Sequence, residues 1–376
     1  MPRLRKFLEK INIDAELCFD EPMANHTSFR IGGPADVLVL PRSTDDLSRL
    51  LVASAAEGVP VAIIGGGANL LVADEGVRGI VVCTSLLRRF EVELTKDEPD
   101  AAGSSLMAAG GGPGAAGSRM TAAGGGPGAA GSGSTAAGGG PGAAGSWSTA
   151  AGGGPGAAGG YTVRAGAGLP VTELLARLLQ LGLSGLEFTA GLPGSVGGAV
   201  YMNARCYDHE MADVLATVFY LDPAERHCRQ LDIVRQDWAY KQTPFMPGGA
   251  LAGAVITGAS FRLLHGDKVL MAARMAELEA DRQKKGHFDY PCAGSLFKND
   301  RRFGRPTGQI LDELGFRGRR IGDALVSEKH ANIFVNAGRA TAKDMLALVC
   351  EAQAAARAAF GIELEPEVVR LGEFQR

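Results

Sequence analysis

The residues with the clearest potential for chemistry form a glycine-rich segment at positions 191–198, with the spacing G-x-x-G-x-x-G-G. Glycine lets a ligand approach the main chain closely and leaves backbone N–H groups free to bind an anion. The spacing matches neither the G-x-G-x-x-G of a dinucleotide-binding turn nor the G-x-x-x-x-G-K-[ST] of a phosphate-binding loop. From these residues alone, a backbone cradle for a phosphate and a tight turn without a ligand are equally good interpretations.

The composition limits the classes of partner. The chain has 376 residues, of which 46% are hydrophobic and 21% charged, as in an ordinary soluble protein of two or three domains. The net charge of −3 argues against general nucleic-acid binding, because neutralising a phosphate backbone needs an excess of Lys and Arg. The short basic cluster at 317–320 suits a single anionic ligand. We therefore predict no nucleic-acid partner.

The cysteines and the N-terminal segment favour a cytoplasmic location. The six cysteines are scattered and form no C-x-x-C pair, so neither a zinc site nor a redox dithiol is expected. Residues 1–10 are charged throughout and lack the apolar segment of a signal peptide. No apolar run reaches the ~18 residues that cross a bilayer. We expect free thiols, no metal and no membrane partner.

Hydrophobic periodicity and helix-end signals predict alternating helices and strands. In one predicted helix, Thr44 can act as the cap, Leu47 and Leu50 lie on the apolar face, and Gly58 ends the helix. The order strand–helix–strand–strand near the N-terminus predicts a small α/β lobe. The predicted helices span 3–12, 44–58, 170–182, 268–285, 306–314 and 341–360, and the main predicted strands span 37–41, 61–64, 79–83, 161–165, 214–220, 256–262 and 333–336.

Residues 101–160 differ from the rest, because they are nearly all Gly, Ala, Ser and Pro. A ten-residue motif recurs there with a period of 14, beginning at Ala108, Ala122, Ala136 and Ala150. The repeat has no apolar face to bury, so it cannot form a packed core. We predict a disordered surface insertion, and we expect its deletion to leave any activity nearly unchanged.

Six ordered motifs identify a family. The chain resembles the UDP-N-acetylenolpyruvoylglucosamine reductase family, in the compact form that lacks an additional tyrosine loop over the substrate. The match covers both ends of the chain and fails only across residues 100–160. The motifs lie at 25–33 (NHTSFRIGG), 65–72 (GGGANLLV), 185–203, 293–299 (AGSLFKN), 327–336 and 364–368 (LEPEV).

The resemblance implies an α+β fold with a two-lobed FAD-binding unit of the vanillyl-alcohol-oxidase type and a C-terminal α/β substrate domain. It implies that FAD and NADPH reduce UDP-N-acetylglucosamine enolpyruvate to UDP-N-acetylmuramate, and we expect a monomer. The expected boundaries are 1–84 for the first lobe, 85–264 for the second lobe with its insertion, 265–364 for the substrate domain, and 365–376 for a C-terminal segment.

The resemblance also implies three catalytic residues. Ser295 matches the family's proton donor, although without the family match a serine that caps a turn after glycine is the better interpretation. Glu367 matches the catalytic glutamate, expected to bond in its protonated form to the substrate carboxylate or enolate, whereas an isolated acid there would be a surface residue. Lys241 stands where the family has arginine, so it keeps the charge but loses the bidentate fork. Arg205 is a candidate to assist it, and Glu365 is expected to be replaceable.

Binding residues follow from matched position or charge. The pyrophosphate of FAD is expected at the backbone of residues 65–70, and its ring systems at 191–203 and 27–33. The expected cofactor residues are Thr27, Gly65, Gly66, Gly67, Asn69, Leu70, Gly191, Pro193, Gly194, Ser195, Gly198 and Asn203. The expected substrate residues are Tyr240, Lys298, Asn299, Arg317 and Lys329, each of which is otherwise an ordinary surface side chain.

Two alternative functions remain open at this stage. A flavin oxidase or dehydrogenase of the same fold, acting on a small alcohol or hydroxy acid, would explain the glycine segments but not the Ser295 and Glu367 motifs. A non-enzymatic surface protein built around the repeat would require export, and the sequence shows no export signal.

Overall fold

Three β-sheets of four or more strands form the scaffold of the computed structural model, which describes residues 2–95, 160–222 and 227–374. The helices are α1 (Pro2–Ile11), α2 (Thr44–Glu57), α3 (Val171–Leu181), α4 (Val196–Tyr201), α5 (Lys268–Lys284), α6 (Thr307–Glu313) and α7 (Ala342–Phe360). The strands are β1 (Ala15–Pro22), β2 (Pro34–Pro41), β3 (Val61–Ile64), β4 (Leu70–Val72), β5 (Val77–Cys83), β6 (Phe90–Thr95), β7 (Gly160–Gly166), β8 (Leu183–Ser184), β9 (Arg205–Cys206), β10 (His209–Glu210), β11 (Leu215–Leu221), β12 (Cys228–Asp232), β13 (Val255–His265), β14 (Cys292–Ser295), β15 (Arg320–Ile321), β16 (Ala324–Val326), β17 (Ile333–Asn336) and β18 (Val369–Leu371).

The first sheet has the strand order β1-β2-β5-β3. β2 and β3 run parallel to β5, and β1 pairs antiparallel with β2. Both faces are buried because alternate side chains of β2 enter different cores. Val37 and Val39 pack with helices α1 and α2, whereas Leu38 packs on the opposite side with Val81 of β5. The sheet is therefore apolar on both faces, as expected for parallel strands.

The second sheet is antiparallel and has the order β12-β11-β13-β7-β6, with β8 also pairing with β13. Leu174, Leu175 and Leu178 of α3 belong to the same core as Val163 of β7 and Val218 of β11. Gly182 ends α3 in the left-handed conformation with a φ of 70°, as the sequence predicts.

The third sheet has the order β14-β17-β16-β15. Helices α6 and α7 bury their apolar faces in its core, with Ile310 and Met345 beside Phe334. The last described strand, β18, leaves this region and pairs in parallel with β4. This pairing places the segment that carries Glu367 next to the loop that precedes β4.

The structure confirms the predicted α+β class and the predicted helices to within one or two residues. One detail was wrong: the side chain that caps α2 belongs to Ser43, which accepts a hydrogen bond from the backbone N–H of Asp46, and Thr44 is the first helical residue. The sequence analysis also missed the short helix α4. The three sheets draw their strands from the three predicted segments, but the domain boundaries themselves stay a prediction.

The repeat at 101–159 lies outside the described residues. Within the described ranges, no helix is both long and apolar enough to cross a membrane. Those residues also contain no group of three or more His, Cys, Asp or Glu side chains placed to hold a metal ion. All six cysteines are free.

Candidate functional site

Two glycine-rich segments, at 65–67 and 191–198, form one wall of a cavity of ≈ 920 Å³. A Cβ atom on Gly66 would lie 2.7 Å from the Cα atom of Gly194, and a Cβ atom on Gly67 would lie 1.8 Å from the carbonyl oxygen of His26. Neither distance leaves room for a side chain. Glycine is therefore required here because main chain packs directly against main chain.

Ser195 joins the two glycine segments. Its hydroxyl oxygen accepts hydrogen bonds from the backbone N–H of Gly66 at 3.2 Å and from that of Gly198 at 3.5 Å. The second bond caps helix α4. One buried serine thus fixes the first segment against the second and starts the helix that follows it.

All of the predicted cofactor residues except Asn203 line this cavity. The side chain of Asn203 is fully buried and forms hydrogen bonds to the backbone of Ala239 and Ala212 instead. Its predicted contact with the cofactor therefore finds no support in the lining of the cavity.

A buried ion pair stands at the same cavity. Nζ of Lys241 lies 2.6 Å from Oε1 of Glu367, and the two side chains are only 8% and 15% exposed. Both residues line the cavity. The structure places the ammonium of Lys241 directly against the carboxyl group of Glu367, whereas the protonated form of Glu367 stays a prediction.

Glu367 is fixed by its backbone on two sides. Its N–H donates to the carbonyl of Leu296 at 2.7 Å, and its carbonyl accepts from Nδ2 of Asn69 at 3.0 Å. Ser295 directly precedes Leu296 at the end of β14, so the structure brings Ser295 and Glu367 close together. Gly294, the neighbour of Ser295, lines the cavity, whereas Ser295 itself is half-buried beside it.

The predicted substrate residues fall into two groups. Tyr240, Lys298 and Asn299 line a second cavity of ≈ 1090 Å³. There the hydroxyl of Tyr240 accepts from the N–H of Asn299 at 3.3 Å. Arg317 and Lys329 line neither cavity, and they form ion pairs with Asp312 and Asp289.

Arg205 lies beside Tyr240 and forms no ion pair with Glu367. Its guanidinium carbon is 5.6 Å from the centre of the Tyr240 ring, and Nζ of Lys241 is 5.8 Å from the same centre. Burial, followed by the negative charge of Glu367, raises the pKa of Tyr240. Tyr240 therefore stays a neutral phenol that lies near both cations and lines the second cavity.

Sequence reasoning missed Arg282, a buried arginine that lines the first cavity. Its Nη2 atom contacts the sulfur of Cys206 at 3.0 Å, whereas Nε has no hydrogen-bond partner among the described residues. Burial and the charge of Arg282 lower the pKa of His287, another lining residue, to about 4. Arg282 lies in the last turn of α5, just before Lys284 and Lys285, so nothing in the sequence distinguishes it from a surface charge.

Comparisons with known proteins point to one family. Residues 286–371 match the family model described as UDP-N-acetylenolpyruvoylglucosamine reductase, C-terminal domain. Reductases of that name from Treponema pallidum and Agathobacter rectalis are 33% and 35% identical to this chain, with 94% of the chain covered in each case and 93% and 94% of the relatives. The crystal structure of UDP-N-acetylenolpyruvylglucosamine reductase (MurB) from Thermus caldophilus aligns with a TM-score of 0.63 at 25% identity, covering 96% of this chain and 99% of that one.

Proposed function

The chain belongs to the UDP-N-acetylenolpyruvoylglucosamine reductase family, and from this premise we propose how its own residues divide the reaction. The enzyme is an oxidoreductase of peptidoglycan precursor synthesis that uses FAD and NADPH. It reduces the enolpyruvyl ether of UDP-N-acetylglucosamine enolpyruvate to the lactyl ether of UDP-N-acetylmuramate. The alkene gains a hydride at one carbon and a proton at the neighbouring carbon.

The first cavity fits FAD. Its volume of ≈ 920 Å³ lies within the range of about 300–1,000 Å³ usual for ligand pockets. Its glycine wall offers bare main chain, and we assign the cofactor to Thr27, to residues 65–70 and to the lining members of 191–198. Bound FAD supplies the hydride chemistry, with NADPH as the source and the enolpyruvyl carbon as the acceptor.

The ion pair between Lys241 and Glu367 is the observation that carries the proposal. Hydride addition leaves negative charge on the carbon beside the substrate carboxylate, and a nearby buried cation stabilises that charge. We assign this task to Lys241. Glu367 holds the ammonium in place, and the ammonium orients the carboxylate end of the substrate. The lysine thereby serves as a point charge at the position where the family resemblance implies a fork-shaped guanidinium.

Ser295 is proposed as the proton donor. Its position next to Leu296, whose carbonyl holds the backbone of Glu367, supports this role. Serine is a weak acid, but a carbanionic carbon is a strong base, so the transfer from Oγ is favourable once the hydride has been added.

The second cavity is proposed to hold the UDP-sugar, with Tyr240, Lys298 and Asn299 among its contacts. Arg301 also lines this cavity and forms no ion pair with any described residue, so it offers a cation to the diphosphate. The predicted contacts of Arg317 and Lys329 with the substrate stay predictions. A cytoplasmic location is supported by the six free cysteines, and the monomeric state stays a prediction.

The test separates the two half-reactions. Ser295→Ala should leave the reduction of bound FAD by NADPH intact and abolish its reoxidation by the enolpyruvyl substrate, as followed by visible absorbance under anaerobic conditions. Ser295→Cys keeps an acidic hydrogen at the same position and should retain part of the second step. Loss of both half-reactions in Ser295→Ala would show that the serine is structural.

A further inference from the structure

Lys241 lies in a tight turn, where its backbone has a conformation that is unfavourable for lysine. Tyr240 and Lys241 are its central residues, and Ala239 and Gln242 exchange two backbone hydrogen bonds of 3.1 and 3.0 Å. Lys241 has a φ of +54°, in the left-handed region that is unfavourable for residues other than glycine. Such a conformation persists only when surrounding groups hold it.

Asn203 provides that support. Its Nδ2 atom donates to the carbonyl of Ala239 at 3.0 Å, and its Oδ1 atom accepts from the N–H of Ala212 at 3.0 Å. Asn203 is 0% exposed and lines neither cavity. Both polar ends of the amide are therefore used to fix the first residue of the turn against the protein interior.

A second contact holds the other side of the turn. The hydroxyl of Thr243 donates to the carbonyl of Tyr201 at 3.0 Å. Tyr201 is the last residue of helix α4, which begins in the glycine-rich segment. The turn is thus attached on both sides to the few residues that follow the glycine wall.

We propose that Asn203 is a positioning residue of the reductase reaction. It holds the turn at 239–242 so that the ammonium of Lys241 faces Glu367 and the carboxylate of the substrate. The inference rests on the proposed role of Lys241, and it assigns Asn203 to that residue rather than to FAD.

Asn203→Asp is the most specific variant. Aspartate has the same shape, tolerates a positive φ and still accepts from Ala212, but it places an oxygen against the carbonyl of Ala239 where a donor stood. Because a buried acceptor then loses its partner, kcat/KM for the enolpyruvyl substrate should fall about 10- to 100-fold. The affinity for FAD, measured by the recovery of flavin fluorescence on dilution, should stay unchanged.

A double-mutant cycle shows whether Asn203 acts through Lys241. If it does, the variant that combines Asn203→Asp with Lys241→Met should be no slower than Lys241→Met alone. Asn336→Asp is the matched control, because Asn336 is also buried and its Nδ2 atom also donates to a backbone carbonyl, that of Phe29, at 3.0 Å. In the variant that combines Asn336→Asp with Lys241→Met, the two separate effects on kcat/KM should multiply.

Two results would overturn the inference. Multiplication of the Asn203→Asp and Lys241→Met effects would mean that Asn203 acts elsewhere, and so would a loss of FAD affinity in Asn203→Asp. If Asn203→Asp does not fold, Asn203→Gly takes its place in the same double-mutant cycle. Glycine suits the φ of +39° at this position, and it removes both side-chain hydrogen bonds without adding a charge. An unchanged kcat/KM in Lys241→Met alone would instead refute the proposed role of the lysine, and with it the basis of the inference.

Discussion

The two walls of the first cavity are made from different parts of the chain. The glycine wall is main chain, in two short segments that touch at Gly66 and Gly194. The charged wall consists of side chains from distant positions, with Lys241 and Glu367 paired beside Ser295. A backbone wall has no room for an added methyl group, whereas a charged wall accepts a change of residue that keeps the charge. On this basis we expect position 241 to accept another cation, whereas Gly66 and Gly67 must stay glycine.

The charged wall should give the largest effect on the reaction. Glu367→Gln removes the charge that holds Lys241 and leaves its buried ammonium unpaired, so kcat should fall by about 10- to 100-fold. Glu365→Gln is the control, because Glu365 pairs with Lys298 and its side chain is 70% exposed. Steady-state rates of NADPH oxidation measure both variants. Equal losses would show that the ion pair has no special role.

The glycine wall should lose cofactor binding when a side chain is added. Gly67 and Gly58 have almost the same φ, +64° and +65°, but a Cβ on Gly58 meets nothing within 4 Å. Gly58→Ala should therefore cost only the strain of a left-handed alanine, about 1–2 kcal/mol. Gly67→Ala should cost more and should weaken FAD binding at least tenfold, roughly 1.4 kcal/mol.

Thermal unfolding with and without added FAD compares the two glycine variants. Equal destabilisation, with FAD affinity retained in both, would show that close backbone contact at Gly67 is unnecessary for the cofactor.

The lysine should be replaceable by another cation but not by an apolar group. Lys241→Met should lower kcat/KM about 10- to 100-fold, because the cation that stabilises the negative charge left by hydride addition is lost. Lys241→Arg should stay within about tenfold of the wild type, because the charge remains. The quantity to measure is the ratio of kcat/KM in Lys241→Arg to kcat/KM in Lys241→Met. Similar losses in both would mean that the shape of the lysine matters more than its charge.

A smaller effect concerns pH. His287 in the cavity has a pKa of about 4, below the ~6.5 of an unfolded histidine. Between these values the unfolded chain binds a proton that the folded chain does not, so stability is complete above pH ~6.5 and is lost as the pH falls towards 4. His330, whose pKa burial also lowers, contributes in the same direction.

Urea unfolding between pH 7 and 4 measures this loss in the wild type and in His287→Gln. The variant should depend less on pH in that window, whereas His227→Gln, which changes an exposed histidine, should behave like the wild type. An identical pH profile for His287→Gln would contradict the assignment.

Local signals in the sequence were sufficient to locate the glycine wall, because Gly65, Gly67 and Gly194 lie in compact glycine-rich motifs. The steric reason for glycine is not local: a Cβ on Gly67 would meet His26, and a Cβ on Gly65 would meet Ser195. Helix α4 was missed because two of its six residues are glycines, which disfavour helix. In α4 the cap at Ser195 and the burial of Val196 and Val200 outweigh the low helix propensity of the two glycines.

The charged wall could be predicted only as a set of separate residues. The family resemblance indicated Lys241 and Glu367, but their pairing depends on β18 returning to β4, a contact between residues far apart in the chain. The positive φ of Lys241 and the role of Asn203 depend on the same tertiary packing, so no spacing rule reveals them.

The central claim is that this cavity transfers a hydride from NADPH to an enolpyruvyl substrate. The most direct test is the visible absorbance of the FAD-loaded protein without oxygen, first with NADPH alone and then after UDP-N-acetylglucosamine enolpyruvate is added. We predict that the flavin absorbance is lost with NADPH and returns in proportion to the substrate. Absorbance that stays bleached after the substrate is added, or a protein that takes up no flavin, would contradict the account.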